Sequence, residues 1–295
     1  PMNALVSDQV GRLRRLIGDA KGEFVRIFRD TCGKNSRRPQ FGMYTGRTPY
    51  PGVAPQSAQD HMLEKTLARM SFPQTESEWA YFEVLTREGR IPAKADMEAF
   101  LQRLHDSRHV PDPEDAELIT RFEMQQFCPD ILITNYSMLE YMLFRPREEK
   151  IWESTKAWLD SDPSHKLLFI IDEAHMYKGS AGGEVALLIR RLFYKLGISR
   201  QRVQFILTTA SMPNRSEEDR AFIKRFAQEL TAADSADSFR FFTGTLEKIE
   251  GKMKYDIPID RFLSCTAAEF EETEEGRLAA LNRFWASVPD TPAPF

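Results

Sequence analysis

The sequence has few of the residues, and none of the long apolar runs, that define several classes of protein. Only three cysteines, Cys32, Cys128 and Cys265, occur in 295 residues, with no C-x-x-C pair and no histidine at metal-ligand spacing. This scarcity argues against a disulfide framework and a structural zinc site, and it favours a reducing, cytoplasmic setting. No apolar run approaches the ~18 residues that a membrane span needs, and no signal peptide is recognisable, so we expect no membrane partner.

An excess of charge of one sign is also missing from the chain as a whole. The formal net charge is −4, so no global basic field indicates a nucleic-acid partner. Residues 1–50 nevertheless hold ten Lys and Arg against four Asp and Glu, a net charge of +6, which leaves −10 for the other 245 residues. A locally basic segment on an acidic chain is compatible with phosphate binding.

Hydrophobic periodicity predicts helices that alternate with short buried strands. This alternation is typical of a parallel sheet with helices on both faces, an α/β architecture. The charged, helix-prone segment 57–127 is predicted to be an inserted helical subdomain. The predicted strands are 41–46, 130–135, 166–173 and 203–211, and the predicted helices are 3–17, 20–31, 136–144, 149–160, 182–197 and 216–230.

Three of the predicted strands end on side chains that can take part in chemistry. In open parallel sheets, ligands bind beyond the carboxyl ends of the strands. We therefore expect these side chains to gather at one edge of the sheet. They are Thr134 and Asn135 after one strand, Asp172, Glu173 and His175 after another, and Thr208, Thr209 and Ser211 after a third.

The stretch KLLFIIDEAHMYKG, residues 166–179, delivers two carboxylates and a histidine to the end of a buried strand. This matches the acidic site of P-loop nucleotide hydrolases, in which Asp172 would hold Mg²⁺ through water. Glu173 would orient or deprotonate the attacking water, and His175 would hydrogen-bond a hydroxyl of the next strand. One alternative is an ordinary helix N-terminus, where acidic side chains interact favourably with the helix dipole. A nuclease with Asp172 and Glu173 as metal ligands is a weaker alternative, because adjacent side chains diverge at a strand end.

Five sequence blocks resemble motifs of superfamily 2 DEAD/DEAH-box helicases, and they occur in that family's order. DEAH after LLFII resembles motif II, and TTASMP resembles motif III. PMNALVSDQVGRL resembles motif Ia, MYTGRTP the glycine motif that follows it, and PDILITNYSMLEYMLFRP motif Ib. The combination most resembles the large helicases of bacterial phage-defence systems of the DISARM and Druantia type, and related repair helicases. It covers residues 1–215 apart from a gap over 57–118.

The resemblance implies a RecA-like P-loop NTPase domain, with a parallel sheet and a helical insertion, that uses ATP and Mg²⁺. Asp172 would hold the metal, Glu173 would be the catalytic base, and His175 would couple hydrolysis to strand movement together with Thr208, Thr209 and Ser211. The implied organisation is a first part of the RecA-like domain at 1–56, the insert at 57–127, the remainder of the domain at 128–240, and a linker or the start of a following domain at 241–295.

The resemblance also implies contacts to the backbone of single- or double-stranded DNA. Amides, hydroxyls and backbone N–H groups at helix N-termini suit phosphates and read no sequence. For Tyr136 a packing role is favoured over a base-stacking platform. Two roles are equally open for Arg12, Arg14, Arg15, Arg37 and Arg38, which could line a solvated face or contact phosphate. The implied DNA contacts are Asn3, Thr45, Gly46, Arg47, Thr134, Asn135 and Tyr136.

One expected motif does not occur in the 295 residues, namely the phosphate loop G-x-x-x-x-G-K-[ST]. In the family this loop lies just upstream of motif Ia, and a second RecA-like domain with an arginine finger follows the first. We therefore expect the chain to be most of a first motor domain of a helicase or translocase in anti-phage defence or DNA repair, with other defence-system subunits as further partners. The first residue, Pro1, fits either a fragment or removal of an initiator methionine. The alternative is a non-hydrolysing nucleic-acid-binding or scaffold module with a helicase-like fold.

Overall fold

The chain divides into two units, residues 1–240 and residues 241–295. Helices and parallel strands alternate along the first unit. The structure, a computed structural model, describes residues 2–19, 21–33, 37–49, 58–105, 111–212, 216–243 and 274–286. In the second unit it describes one helix, α11 (Glu274–Ala286). The elements of the first unit are α1 (Met2–Ile17), α2 (Glu23–Cys32), β1 (Phe41–Tyr44), α3 (Ala58–Ser71), α4 (Glu76–Arg87), α5 (Met97–His105), β2 (Glu117–Leu118), α6 (Arg121–Gln126), β3 (Ile131–Thr134), α7 (Tyr136–Phe144), α8 (Glu149–Ser161), β4 (Leu167–Ile171), α9 (Ser180–Leu196), β5 (Val203–Leu207) and α10 (Glu217–Thr231).

All strand pairs that the structure describes are parallel, and they form two sheets. One sheet has the order β2–β1–β3, and the other pairs β4 with β5. In the second sheet Leu167 lies opposite Val203 and Ile171 lies opposite Leu207, so the two strands end level with each other. Parallel strands linked through helices are the α/β arrangement of a RecA-like domain, which confirms the predicted fold class.

The helices α7, α8 and α9 pack on one face of both sheets. Leu132 of β3 and Phe169 of β4 pack against a single apolar cluster formed largely by these helices. On its other face, the β2–β1–β3 sheet is covered by α1, whose Val10 and Ile17 pack on Phe41. The two sheets are therefore held together by shared helices. Among the described helices, none is long and apolar enough to cross a membrane.

The second face of the β4–β5 sheet is left open by the described residues. Leu168, Ile170 and Ile206 point away from the packed face, and they are 51%, 58% and 42% exposed. Parallel sheets are normally buried on both faces, so among the described residues this apolar face lacks the cover that such sheets require.

The segment 57–127 contains a strand as well as helices. Leu67 of α3 and Phe100, Leu101 and Leu104 of α5 form a small apolar cluster, in line with the helical prediction. At the end of the segment, however, Glu117 and Leu118 pair with β1 and extend the sheet. Two residues are too few for an alternating pattern, which is why the sequence did not indicate this strand. The independence of the segment as a subdomain stays a prediction.

A tight joint connects α1 to the turn after α4. The turn residue Gly89 has φ +68°, and a Cβ there would collide with the backbone oxygen of Gly11 in α1. Arg14 donates to the carbonyls of Gly89 and Arg90 at 3.2 and 2.8 Å. Arg15 donates to the carbonyl of Glu88 at 2.9 Å, so two guanidinium groups meet the carbonyl oxygens that follow the C-terminus of α4.

Beneath this joint lies a buried cluster of charged side chains. Lys94, which is completely buried, donates to Asp115 at 3.1 Å and to Glu123 at 2.6 Å. Glu117 binds Arg14 at 2.6 Å and accepts from the backbone of Ala93 at 2.9 Å. Each buried carboxylate is thereby hydrogen-bonded, as burial of charge requires.

Replacing Gly89 by alanine should destabilise the protein more than the same change at Gly197. Both glycines have φ near +65°, where an L side chain costs about 1–2 kcal/mol. Only at Gly89 would the added Cβ meet backbone, because at Gly197 it would meet the flexible end of Lys156. Urea unfolding followed by circular dichroism should show at least about 1 kcal/mol of additional loss for Gly89→Ala, a typical cost of overpacking. Equal losses would contradict the tight joint.

Lys94→Met should lower the free energy of unfolding by about 3–5 kcal/mol, because Asp115 and Glu123 would be left buried without a counter-charge. The matched control is Lys156→Met, whose ion pair with Asp160 is half exposed on α8. That change should cost no more than about 0.5 kcal/mol. Thermal and urea unfolding of the two variants measure the difference, and a Lys94→Met variant as stable as the control would show that the buried cluster contributes little.

Candidate active site

The backbones of β4 and β5 stay paired beyond the last residues of the two strands. Thr208 donates its N–H to the carbonyl of Ile171 at 3.0 Å, and Ala174 donates to the carbonyl of Thr208 at 2.9 Å. This extension places the residues after β4 beside those after β5. It determines which side chains of the two strand ends can touch.

Both carboxylate oxygens of Asp172 have hydrogen-bond donors. Oδ1 accepts from the hydroxyl of Thr208 and, at 3.2 Å, from the backbone N–H of Glu173. Oδ2 accepts from Nε2 of Gln9 in α1 at 3.4 Å. The structure therefore brings together the predicted pair Asp172 and Thr208, and adds Gln9 to them. The sequence held no signal for Gln9, which lies 163 residues away.

Glu173 adopts a left-handed backbone conformation, with φ 50° and ψ 44°. Among the described residues only Glu173 and Ala232 do so without being glycine, at a cost of about 1–2 kcal/mol each. Such strain clusters at functional sites. Oε2 of Glu173 is buried and accepts no hydrogen bond, although Nδ1 of His175 lies 3.1 Å away. A buried carboxylate oxygen is thus held next to the ring of His175.

His175 touches the end of β5. It lies on a short 3₁₀ helix, Ala174–Met176, and its Nδ1 is 3.2 Å from the hydroxyl oxygen of Thr209. Ser211 donates its backbone N–H to the same oxygen at 3.3 Å. The structure therefore joins the predicted residues His175 and Thr209, and Ser211 supports Thr209 through its backbone.

Tyr177, which the sequence did not single out, lies close enough to Asp172 to feel its charge. Burial raises the pKa of its phenol, and the nearby charge of Asp172 raises it further. The phenol consequently stays protonated at neutral pH and able to donate a hydrogen bond.

The predicted DNA contacts at the end of β3 have partners within the protein. Thr134 donates its hydroxyl to the carbonyl of Tyr44 at 2.7 Å, and Asn135 caps α7 by accepting from Met138 N–H at 2.9 Å. The hydroxyl of Tyr136 donates to Oε2 of Glu184 at 3.4 Å. The ring of Tyr136 packs against two apolar clusters, one that includes Met138 and one that includes Ile171. Its hydroxyl has a raised pKa, first because of burial and then because of neighbouring carboxylates. These contacts organise the start of α7.

The predicted contacts after β1 are divided between buried and exposed positions. Thr45 is buried, and its hydroxyl accepts from Arg47 N–H at 3.2 Å. Gly46 and Arg47 are exposed. Asn3 lies in the first turn of α1, with its side chain outside the described part of the chain.

The five arginines whose role the sequence left open all have protein partners. Arg12 pairs with Asp8 on the surface of α1, and Arg37 forms a two-point contact with Asp130 at 2.6 and 2.7 Å. Arg38 is buried and donates to the carbonyls of Ile17 and Glu114. Together with the joint formed by Arg14 and Arg15, these contacts favour structural roles over a dedicated phosphate surface.

The segment that carries the paired strand ends and the site matches a known protein family. Residues 95–219, which include β3, β4 and β5, match the family model of the DEAD/DEAH box helicase. This match confirms the resemblance of the sequence blocks to the DEAD/DEAH box helicase family. It is similar to "Druantia protein DruE" of Escherichia coli (strain UMEA 4076-1), with 43% identity over 271 residues, which is 84% of this chain. The predicted likeness to helicases of the Druantia type is thereby confirmed.

The similarity to DruE extends over a small part of that protein. The aligned region is 14% of its length. No solved structure matches the chain.

Glycine in place of Glu173 should stabilise the fold, because glycine adopts the left-handed conformation without strain. We expect the free energy of unfolding to rise by about 0.5–1 kcal/mol, the left-handed cost less the entropy lost by glycine. Ala232→Gly is the matched control at the C-terminus of α10, where a left-handed glycine is favoured. A loss of stability in Glu173→Gly alone would mean that the glutamate side chain stabilises the fold.

Proposed function

We propose that this chain is most of the first RecA-like motor domain of an ATP-dependent superfamily 2 DNA helicase or translocase in anti-phage defence or DNA repair. The observation that carries the proposal is the cluster at the paired ends of β4 and β5. There Asp172 meets Thr208 and His175 meets Thr209, and Glu173 between them adopts a left-handed backbone conformation. The match to the DEAD/DEAH box helicase model supports the same activity.

Asp172 is the residue that would hold Mg²⁺. In the described part of the chain, no three or more His, Cys, Asp or Glu side chains cluster as metal ligands. That fits Mg²⁺ rather than a metal in a protein cage, because Mg²⁺ is usually held by one or two carboxylates, waters and substrate phosphates. Bound Mg²⁺ would neutralise charge on the ATP phosphates. The hydrogen bonds from Thr208 and Gln9 keep the Asp172 carboxylate in one orientation for this role.

Glu173 is the residue that would act as general base. Its buried Oε2 forms no hydrogen bond and lies 3.1 Å from Nδ1 of His175, and this oxygen would accept a proton from a water placed beside it. Because its backbone is left-handed, its side chain leaves the strand end in a direction different from that of Asp172. The two adjacent carboxylates can therefore serve two roles.

His175 and Thr209 would pass the state of the nucleotide to the end of β5. Their contact joins the segment that carries Asp172 and Glu173 to the strand end that Thr208, Thr209 and Ser211 occupy. A change at the carboxylates would therefore shift this strand end, and with it the domain surface that faces other parts of the motor.

The rest of the machinery is assigned to other parts of the polypeptide and to partners. The 295 residues hold no phosphate-loop motif, so we assign binding of the ATP phosphates to a further segment of the polypeptide. We assign the arginine finger to a second RecA-like domain. DNA, single- or double-stranded, would lie along the starts of α1 and α7 and the turn after β1, at Asn3, Thr45, Gly46, Arg47, Thr134, Asn135 and Tyr136. We place the protein in the cytoplasm, with other defence-system subunits as further partners.

A second candidate function is a non-hydrolysing nucleic-acid-binding or scaffold module with a helicase-like fold. The absence of the phosphate-loop motif from these residues favours it. Sequencing the parent gene on both sides separates the two. A glycine-rich turn that ends in Gly-Lys-Thr or Gly-Lys-Ser just upstream supports the motor, and a natural start at Pro1 supports the scaffold.

In the intact parent protein, Glu173→Gln should abolish ATP turnover and leave DNA affinity within about twofold. Removal of a general base typically lowers the rate by about 10²–10⁴-fold, whereas DNA is held by other residues. Turnover by phosphate release and affinity by fluorescence anisotropy measure the two effects. Glu153→Gln, an exposed change on α8, is the matched control and should retain turnover. Normal turnover in Glu173→Gln would overturn the role of this residue.

A further inference from the structure

Gln9 connects α1 to the carboxylate that the proposed function assigns to Mg²⁺. The amide donates to Oδ2 of Asp172 at 3.4 Å, in a partly buried contact between residues 163 positions apart. The helix that carries Gln9 covers the β2–β1–β3 sheet, whereas Asp172 follows β4 in the other sheet. The contact therefore bridges the two sheets at the candidate site.

Tertiary contacts fix the helix α1 in place on both sides of Gln9. Val6 and Val10 are buried on either side of it along the chain. Further on, Gly11 lies against the turn at Gly89, and Arg14 bonds Glu117. In a helix six residues span about 9 Å, so a displacement of the first turn, which contains Asn3, needs to travel less than two helical turns to reach Gln9.

The contact acts on the one oxygen of Asp172 that Thr208 does not hold. Thr208 and Glu173 N–H donate to Oδ1, and Gln9 donates to Oδ2. A neutral amide directs the carboxylate and adds no charge to a site that must attract a cation. If α1 shifts, Gln9 changes the orientation of the carboxylate while Thr208 retains its hold on the other oxygen.

We propose that Gln9 is a positioning residue through which DNA bound at the start of α1 controls the orientation of Asp172. This inference rests on the proposed function. It makes α1 the link between the DNA-contacting surface and the metal-holding carboxylate. Because coupling between two bound ligands is reciprocal, ATP with Mg²⁺ must change the affinity for DNA through the same contact.

The test uses the full-length parent protein with Gln9→Met and Gln9→Glu. Methionine keeps the length of the side chain without a donor, and glutamate keeps its shape but faces Asp172 with like charge. The adjacent Asp8→Asn is the matched control, because Asp8 forms an exposed pair with Arg12 on the same helix. Circular dichroism and thermal unfolding without nucleotide check that each variant is folded.

Two ratios are measured for each variant. The first is ATP turnover with DNA divided by turnover without it. The second is DNA affinity with Mg²⁺ and a non-hydrolysable ATP analogue divided by affinity without them, which needs no turnover. Couplings between two bound ligands, which the second ratio measures, span about 5–150-fold. We expect both ratios to fall by at least about fivefold in Gln9→Met, to fall further in Gln9→Glu, and to stay unchanged in Asp8→Asn.

The possible outcomes separate this inference from the function on which it rests. Ratios that stay at the unsubstituted value in both Gln9 variants overturn the coupling and leave the motor function intact. An equal loss of all rates and affinities would indicate a merely structural tether, which also overturns it. An unsubstituted protein that never hydrolyses ATP would contradict the proposed function, and the coupling with it.

Discussion

The continued pairing of the backbone beyond β4 and β5 is the interaction on which the rest of the site depends. Two hydrogen bonds, from Thr208 to Ile171 and from Ala174 to Thr208, keep the chains side by side after the regular strands have ended. Without them the carboxylates and the hydroxyls would belong to separate loops. Because of them, each polar side chain of one strand end has a specific neighbour on the other. The apolar strands thus supply the rigid support that a site of exposed polar residues cannot supply for itself.

The same region contains the clearest departure from an unstrained backbone. The left-handed conformation of Glu173 is maintained because Ala174 is bonded to Thr208 and buried, so the chain has no freedom to relax around it. The strain is offset by packing elsewhere in the domain, where α9 lies across β4 and β5. The fold therefore accepts a local cost at the position where two adjacent carboxylates must diverge.

Much of the fold could be predicted from the sequence, since apolar runs and helical spacing are local. The strand starts at Ile131, Leu167 and Val203 lie within one residue of their predicted positions for this reason, whereas the predicted ends extend one to four residues beyond the observed ones. The two-residue strand β2, the left-handed Glu173 and the contact of Gln9 with Asp172 could not be predicted. A strand of two residues has no periodicity, and a non-glycine residue gives no sign of a positive φ. A side-chain contact across 163 residues exists only once the helices have brought both sheets together.

The open face of the β4–β5 sheet has a consequence for handling the protein. Among the described residues, Leu168, Ile170 and Ile206 form a small exposed apolar patch on the first unit. Apolar patches of this kind bind hydrophobic dyes, recruit chaperones and promote aggregation. An apolar segment laid over these three side chains would supply the second layer that a parallel sheet requires, and it would lower the tendency to aggregate by the apolar area that it buries.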